Sequence, residues 1–360
     1  MGDIAEYRKA KVEVPKTNYV STENMLQNFS GIIPYSEDEK TDGVQFQVGD
    51  TLLANIRPYL KKAWLASFDG ACSTDVLAIH PKDVLNEFLN NIIAQDRFIE
   101  YVMSGVKGSK MPRGDKNHIL AYQTAIPSNL EQKKVCTFLR LLSTRIEKTR
   151  LTVEHLKKYK RGLHEHVFIK NRKDSWKKAT LQSVASFCGG GTPSKDVSAY
   201  WNGSIGWISS SDIQDEWIDD ISVTRRITKA AIDNSATKLC PKGTIAIVSR
   251  VGVGKVAIMP ESLCTSQDFT NIISISGNTR YMAYQIAFKM KIEAMKTQGT
   301  SIKGITNDIV KSMVLDIPPL EEQEKIANML TAFDSYIKRA VCELDLFLAI
   351  KKALLQQLFI

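Results

Sequence analysis

Two arginines and two glycine loops stand out as residues able to do chemistry on a polyanion. Arg57 and Arg250 close two strand-like apolar runs, Gly49–Arg57 and Gly243–Arg250. Gly108-Ser109-Lys110-Met111-Pro112-Arg113 and Gly299-Thr300-Ser301-Ile302-Lys303-Gly304 align at a constant offset (299 − 108 = 191). Glycine lets a backbone approach a ligand closely, and Ser, Thr, Lys and Arg supply donors for phosphate oxygens. Either loop alone fits an ordinary surface turn. Its recurrence beside a formal net charge of +9 and a pI near 9.1 points to a polyanion, of which nucleic acid is the commonest for a basic chain. A merely basic soluble protein is the plain alternative.

Catalytic signatures are not found. A DNA adenine methyltransferase holds the flipped base with Asn/Asp-Pro-Pro-aromatic, whereas Ile317-Pro318-Pro319-Leu320 lacks both the polar residue and the aromatic. Val251-Gly252-Val253-Gly254-Lys255-Val256 has neither the glycine spacing of a phosphate loop nor its Ser/Thr after the lysine. No nuclease cluster or Ser/His/Asp arrangement can be defended. Six cysteines without Cys-x-x-Cys spacing suggest neither zinc nor a disulfide framework and read as buried small hydrophobes, with Cys72 and Cys264 in equivalent core slots. His164 and His166, two residues apart on a helix, point to different sides and make no metal pair. The expectation is a recognising chain with no catalytic or metal-binding residue.

The elements that must carry these groups are duplicated. Ile126-Pro127 and Glu131-Gln132 return as Ile317-Pro318 and Glu322-Gln323, each pair followed by an apolar-periodic run. In the first run the seam passes through Leu139, Leu142, Ile146 and Leu156; in the second it passes through Leu330, Phe333, Ile337 and Phe347, and even the polar exception repeats as Lys160 and Lys351. Seam spacing of three and four residues is that of a helix packed along another helix. Each helix should run about 40 residues, or about 60 Å. A basic linker, Lys170–Lys178, leads into the second module, which opens at Gln182-Ser183-Val184-Ala185-Ser186-Phe187 as the first does at Gly2-Asp3-Ile4-Ala5-Glu6-Tyr7. Helical stretches are expected over 84–106 and 279–296 ahead of the glycine loops. The fold class is α+β: two globular recognition domains joined by two long antiparallel coiled-coil helices, with a pseudo-twofold internal repeat. The expected divisions are 1–128, 129–168 (helix), 169–318 (linker and second domain) and 319–360 (helix), a dumbbell of two heads on a two-helix rod. With no secretory signal and no apolar run of about 20 residues, a cytoplasmic location is the default.

Ser21-Thr22-Glu23-Asn24-Met25, Gly189-Gly190-Gly191-Thr192-Pro193-Ser194, Tyr200-Trp201-Asn202-Gly203, Gly206-Trp207-Ile208, Ser211-Asp212-Ile213 and Ile317-Pro318-Pro319-Leu320-Glu321-Glu322-Gln323 resemble the specificity subunits of type I restriction-modification systems, over essentially the whole chain. The resemblance implies two target recognition domains, each reading half of a split duplex DNA sequence, and helices that act as a ruler and dock two methyltransferase subunits. It further implies that S-adenosylmethionine sits on the methyltransferase and not on this chain, and that restriction/translocation subunits join the complex. Two departures stand out. Ser128-Asn129 replaces Pro319-Leu320, and the first module lacks the Gly-Gly-Thr-Pro-Ser segment. The expected DNA contacts are Arg57, Lys110 and Arg113 in the first head, and Thr192, Ser194, Lys195, Ser210, Arg250, Lys255 and Lys303 in the second. Each of these alone fits a solvated surface residue equally well. Trp201 and Trp207 read as core. Two other readings remain: a coiled-coil scaffold that never touches DNA, and a stand-alone DNA-modifying enzyme with diverged catalytic residues.

Overall fold

The two apolar-periodic runs form helices whose first residues lie 191 apart, Asn129–Glu165 and Leu320–Gln357 (320 − 129 = 191), in a computed structural model that describes residues 1–37, 39–297 and 304–358. The chain folds as two compact units, Met1–Thr152 with Val341–Ile360, and Val153–Ala340. Each unit therefore owns part of both long helices.

In the first unit, strands β1 (Ala5–Tyr7), β2 (Lys11–Pro15), β3 (Tyr19–Val20), β4 (Lys40–Phe46), β5 (Thr51–Ala54), β6 (Ala63–Leu65), β7 (Gly70–Cys72) and β8 (Val76–Pro81) are followed by helices α1 (Asn86–Ile93), α2 (Asp96–Ser104), α3 (Lys116–Leu120) and α4 (Asn129–Glu165). The strands make two sheets, ordered β1-β8-β5-β6 and β2-β4-β7-β3. β5 is buried along its whole length because both faces are covered. Leu53, Leu77 and Ile79 pack on Phe88, Leu89 and Ile92 of α1. Their strand neighbours Leu52, Ala54, Val76 and Ala78 pack on Val20, Phe46 and Cys72 of the second sheet. Side chains alternate across a strand, so a continuous apolar run can serve two cores at once.

The second unit adds β9 (Lys177–Thr180), α5 (Leu181–Val184), β10 (Ala185–Gly189), β11 (Trp201–Ile208), β12 (Arg225–Ile227), α6 (Lys229–Asp233), β13 (Leu239–Cys240), β14 (Ile245–Val248), β15 (Val256–Ile258), β16 (Leu263–Thr265), β17 (Phe269–Ile275), α7 (Thr279–Thr297), α8 (Asn307–Ser312), β18 (Val314–Ile317) and α9 (Leu320–Gln357). Its first sheet, β10-β17-β14-β15, copies β1-β8-β5-β6. Ile245, Ile247 and Ile272 face α7, while Ala246, Val248 and Phe269 face the second sheet. That second sheet, β12-β11-β16-β13, departs from its counterpart. Both contain one parallel pair, β3 with β7 and β11 with β16, and these pairs hold the fully buried Cys72 and Cys264. The outer strand, however, lies beyond β4 in one unit and beyond β11 in the other.

Within the first unit, Cys136 and Leu139 of α4 share a core with Leu354 and Leu355 of α9, and Arg145 reaches Glu343 at 2.7 Å. Within the second, Tyr159 meets Phe333 with ring centroids 5.4 Å apart, and Leu163 packs in the core that holds Ala327 and Leu330. As one helix advances the other recedes, so the pair is antiparallel in each unit. Leu139, Ile146, Leu330 and Ile337 are buried in the seam; Leu142, Leu156, Phe333 and Phe347 are half-buried.

Some expectations need correction. The helix expected over 84–106 is two helices, because Gln95 is extended (φ −111°, ψ 146°) and its side chain donates to the Asn91 carbonyl. After Glu165 the helix widens to a π-type turn, His166–Lys170, which places Val167 and Phe168 in the core. Not all the cysteines are buried, since Cys188 is half-buried and Cys342 exposed.

Candidate nucleic-acid interface

In each unit a polar residue follows the strand that is buried along its whole length, and that residue ties down two further loops. In the first unit Asn55 follows β5. Its N–H donates to the Asp75 carbonyl at 2.8 Å, and its own carbonyl accepts from the Gly114 N–H at 3.0 Å. In the second, Ser249 follows β14. Its N–H donates to the Asp268 carbonyl at 2.9 Å, and its carbonyl accepts from Ile305 at 2.7 Å. Three segments distant in sequence thus meet at one junction in each unit.

At the first junction Arg57 is exposed, in the left-handed region (φ 50°), and its N–H donates to the Pro112 carbonyl at 2.8 Å. Lys107 and Arg113 exchange backbone hydrogen bonds that close the loop between them, which leaves Lys110 exposed at its tip with no polar partner among the described residues. The Arg113 guanidinium pairs with Asp75 at 2.9 Å. Asp115 caps α3, and the Lys107 ammonium with the His118 and Asn117 N–H groups holds its carboxyl down at about 2.

At the second junction Arg250 is exposed and has no partner among the described residues. Thr270 Oγ1 donates to Asn307 Oδ1 at 2.6 Å, which fixes the segment beyond residue 304. Lys303 and the glycine-loop residues 299–302 lie outside the described residues.

The Gly-Gly-Thr-Pro-Ser segment joins the second junction through close backbone approach. A Cβ on Gly190 would stand 1.9 Å from the Ser266 carbonyl oxygen, and one on Gly191 would stand 2.4 Å from Ala236 backbone. Thr192 hydrogen-bonds Gln267. Trp207 Nε1 donates to the Gly191 carbonyl and Trp201 Nε1 to that of Ser194, each at 3.0 Å. The two indoles form an edge-to-face pair with centroids 5.5 Å apart and belong to a core cluster, as expected from sequence. Lys195 projects from the segment, exposed and without a partner among the described residues. Ser210 and Lys255 form a separate pair, with the Lys255 ammonium 3.0 Å from the Ser210 carbonyl beside the Val251–Gly254 turn. Ser210 sits in a short 3-10 turn whose capping Asp212 is held by Arg225 at 2.7 Å.

Arg57 and Arg250, which both close apolar runs, do not occupy equivalent positions. The bonds to Asp75 and Asp268 make Asn55 the counterpart of Ser249, so Arg250 corresponds to Ile56, and Arg57 reaches its junction by an extra left-handed step. Sequence reasoning missed Asn55 and Ser249. Their signal was a polar residue directly after four buried strand positions.

Both junctions present what a DNA-contacting surface uses: free cations for phosphates, and amide and hydroxyl groups able to donate and accept at base edges. Residues 173–341 match the family described as the type I restriction modification DNA specificity domain. Over that stretch, just under half of its length, the chain is similar to the type I restriction-modification specificity family. Its relatives include the type I restriction enzyme MjaIX specificity subunit of Methanocaldococcus jannaschii, 34% identical over 167 residues that make up 45% of this chain and 39% of that one. The EcoR124I/EcoR124II specificity subunit of Escherichia coli is 33% identical over 168 residues, 44% of this chain and 41% of that one. The chain thus spans about two fifths of the length of these relatives. The fold extends further. A chain in the structure described as the basis of complex assembly and conformational transition of the type I R-M system superposes with a TM-score of 0.65 at 17% identity, covering 99% of this chain and 95% of that one. Among the described residues no helix is long and apolar enough to cross a membrane.

Proposed function

We propose that this chain is the non-catalytic sequence-reading subunit of a type I restriction-modification complex, each unit reading one half of a bipartite duplex target. The observation that carries this is the repeated junction. The same three-loop stitching occurs at Asn55 and at Ser249, yet the side chains presented differ: Arg57 and Lys110 in one unit, Arg250, Thr192 and Lys195 in the other. Equal scaffolds with unequal contact residues suit two readers of different half-sites. Cations at the junctions would set affinity through phosphates, and the neighbouring amides and hydroxyls would set base preference.

The long helices would serve as common ground. Phe138 and Met329 occupy equivalent positions (329 − 138 = 191), and both are exposed, at 51% and 43%. Exposed apolar residues at matching helix positions suit two copies of one partner. In this reading the partners are two methyltransferase subunits, which carry the S-adenosylmethionine, with restriction/translocation subunits joining them, and the helices set the length of unread DNA. The chain itself holds no cofactor in this account.

Reconstitution with the methyltransferase tests the proposal. The complex should prefer one bipartite duplex, and R250E or K110E should weaken binding to it. Sequence-independent binding by an active complex would overturn the proposal, as would methyl transfer or cleavage by the purified chain alone. Charge reversals without effect would favour the scaffold reading.

A further inference from the structure

The repeat is broken at one electrostatic pair. In the second unit Lys160 of α4 lies 2.7 Å from Asp334 of α9, both largely buried, with its ammonium over the Trp217 ring at 4.5 Å. A shift of 191 maps Lys160 onto Lys351 and Asp334 onto Ser143 (334 − 191 = 143). The first unit therefore keeps the half-buried cation and lacks its anion. Among the described residues Lys351 has no hydrogen-bond or ion-pair partner, and burial together with nearby Arg150 pushes its ammonium below the ordinary lysine range.

Lys351 and Ser143 both line a cavity of about 430 Å³ in the first unit, a size in the range of small-molecule sites. The other charged groups there are Lys61, Lys352 and Asp96. Asp96 is already engaged by both lysines, at 2.6 and 3.0 Å, so the wall carries a net positive charge. Asn28, Asn90, Asn91 and Gln95 add amides that can donate to an oxyanion. Backbone strain gathers at the same place. Six residues other than glycine have positive φ among the described residues, and three of them line this cavity: Asn28 (φ 55°), Phe29 (φ 57°) and Lys61 (φ 54°). Left-handed backbone at a residue as bulky as Phe29 is costly, and such residues concentrate at ligand clamps.

We infer that this cavity binds a small organic carboxylate, whose oxygens take beside Lys351 the place that the Asp334 carboxylate takes beside Lys160. A free carboxylate is favoured over phosphate, because the cavity copies a carboxylate–lysine pair and its other two lysines, Lys61 and Lys352, are already paired with Asp96. The Ser143 hydroxyl is committed to the Leu139 carbonyl at 2.8 Å and does not neutralise the cation.

The test is calorimetric titration of the full chain with succinate, with the uncharged succinamide and inorganic phosphate as controls. Succinate should bind in the millimolar range or tighter, and the controls at least about tenfold more weakly. K351M should abolish binding. S143D, which rebuilds the second unit's pair within the first, should also abolish it while raising the unfolding midpoint, an outcome that a misfolded variant would not give. Unchanged succinate affinity in S143D, or phosphate binding equal to succinate, would overturn the inference. So would the absence of any succinate binding at millimolar concentration.

Discussion

Gln132 and Gln323 make the same two hydrogen bonds in the two units. Each donates from Nε2 to the carbonyl of the proline five residues before it, Pro127 at 3.0 Å and Pro318 at 2.8 Å. Each accepts at Oε1 from a backbone N–H that leads into a helix of its unit, Leu85 at 3.0 Å and Asn278 at 2.8 Å. The Pro-x-x-x-x-Gln spacing is therefore a clamp that fixes each long helix to the globular part of its unit. Both side chains are buried, so the clamp bonds are shielded from water.

Replacing either glutamine by alanine leaves a backbone donor and an acceptor unpaired and should cost about 1–3 kcal/mol. Met, of similar length, should not rescue stability, because the unpaired backbone groups remain. Urea unfolding followed by circular dichroism measures this, and near-neutral effects at both positions would remove the clamp from the account.

The buried Lys160–Asp334 pair gives a second prediction. The Tyr284 hydroxyl donates to the other Asp334 oxygen at 2.9 Å, so D334N disturbs a bonded carboxylate and leaves the largely buried Lys160 ammonium with only the Glu216 carbonyl and the Trp217 ring. Either D334N or K160M should destabilise by about 3–5 kcal/mol, whereas K160M/D334L should lose less than the worse single variant. A double-mutant cycle on unfolding free energies is the measurement.

Acid sensitivity should come in part from His164. Burial, with help from the Lys160 and Lys291 charges, pushes its imidazole from 6.5 down to about 3. Below pH 6.5 the unfolded chain takes up a proton that the folded chain refuses, so stability falls as pH drops, until the folded form is protonated near 3. Carboxylates add to the same trend. H164F should therefore flatten the stability profile between pH 6.5 and 3 relative to the parent, and identical profiles would show that His164 contributes nothing.

The glycine segment separates scaffold from reader. A Cβ at Gly191 has backbone within 2.4 Å, whereas one at Gly189 meets nothing within 4 Å. G191A should therefore impair folding of the second unit and G189A should be silent. R250A should leave stability unchanged and lower the slope of log affinity against log salt by about 1, the signature of one lost phosphate contact. Salt-titrated fluorescence anisotropy on the target duplex distinguishes the two effects.

Much of this was legible in the sequence, because helix seams are periodic: Leu139, Ile146, Leu330 and Ile337 could be placed from spacing alone, and the offset of 191 recurs at the helix starts. The departure at Ser128 also had a readable cause. Ser128 and Glu131 form a capping box, whereas in the second copy Pro319 cannot donate, and Glu322 instead accepts from Lys173 and Trp176 of the linker. The junctions were less legible. Which loops meet at Asn55 and Ser249 depends on sheet order, and sheet order is set by long-range packing that no local pattern encodes. The change of outer strand from β2 to β12 left no trace in the spacing. Arg57 and Arg250 looked equivalent because both follow apolar runs, and only the backbone bonds show them one position apart.

The account's central claim is that each unit reads its own half-site. The most direct measurement is single-molecule sequencing of methylated adenines in a host that expresses this chain with the methyltransferase proposed as its partner, compared with a chimera in which residues 185–317 are replaced by those of a relative with a different target. The account predicts a bipartite motif in which the chimera changes one half and keeps the other. A continuous motif, or a change in both halves, would contradict it.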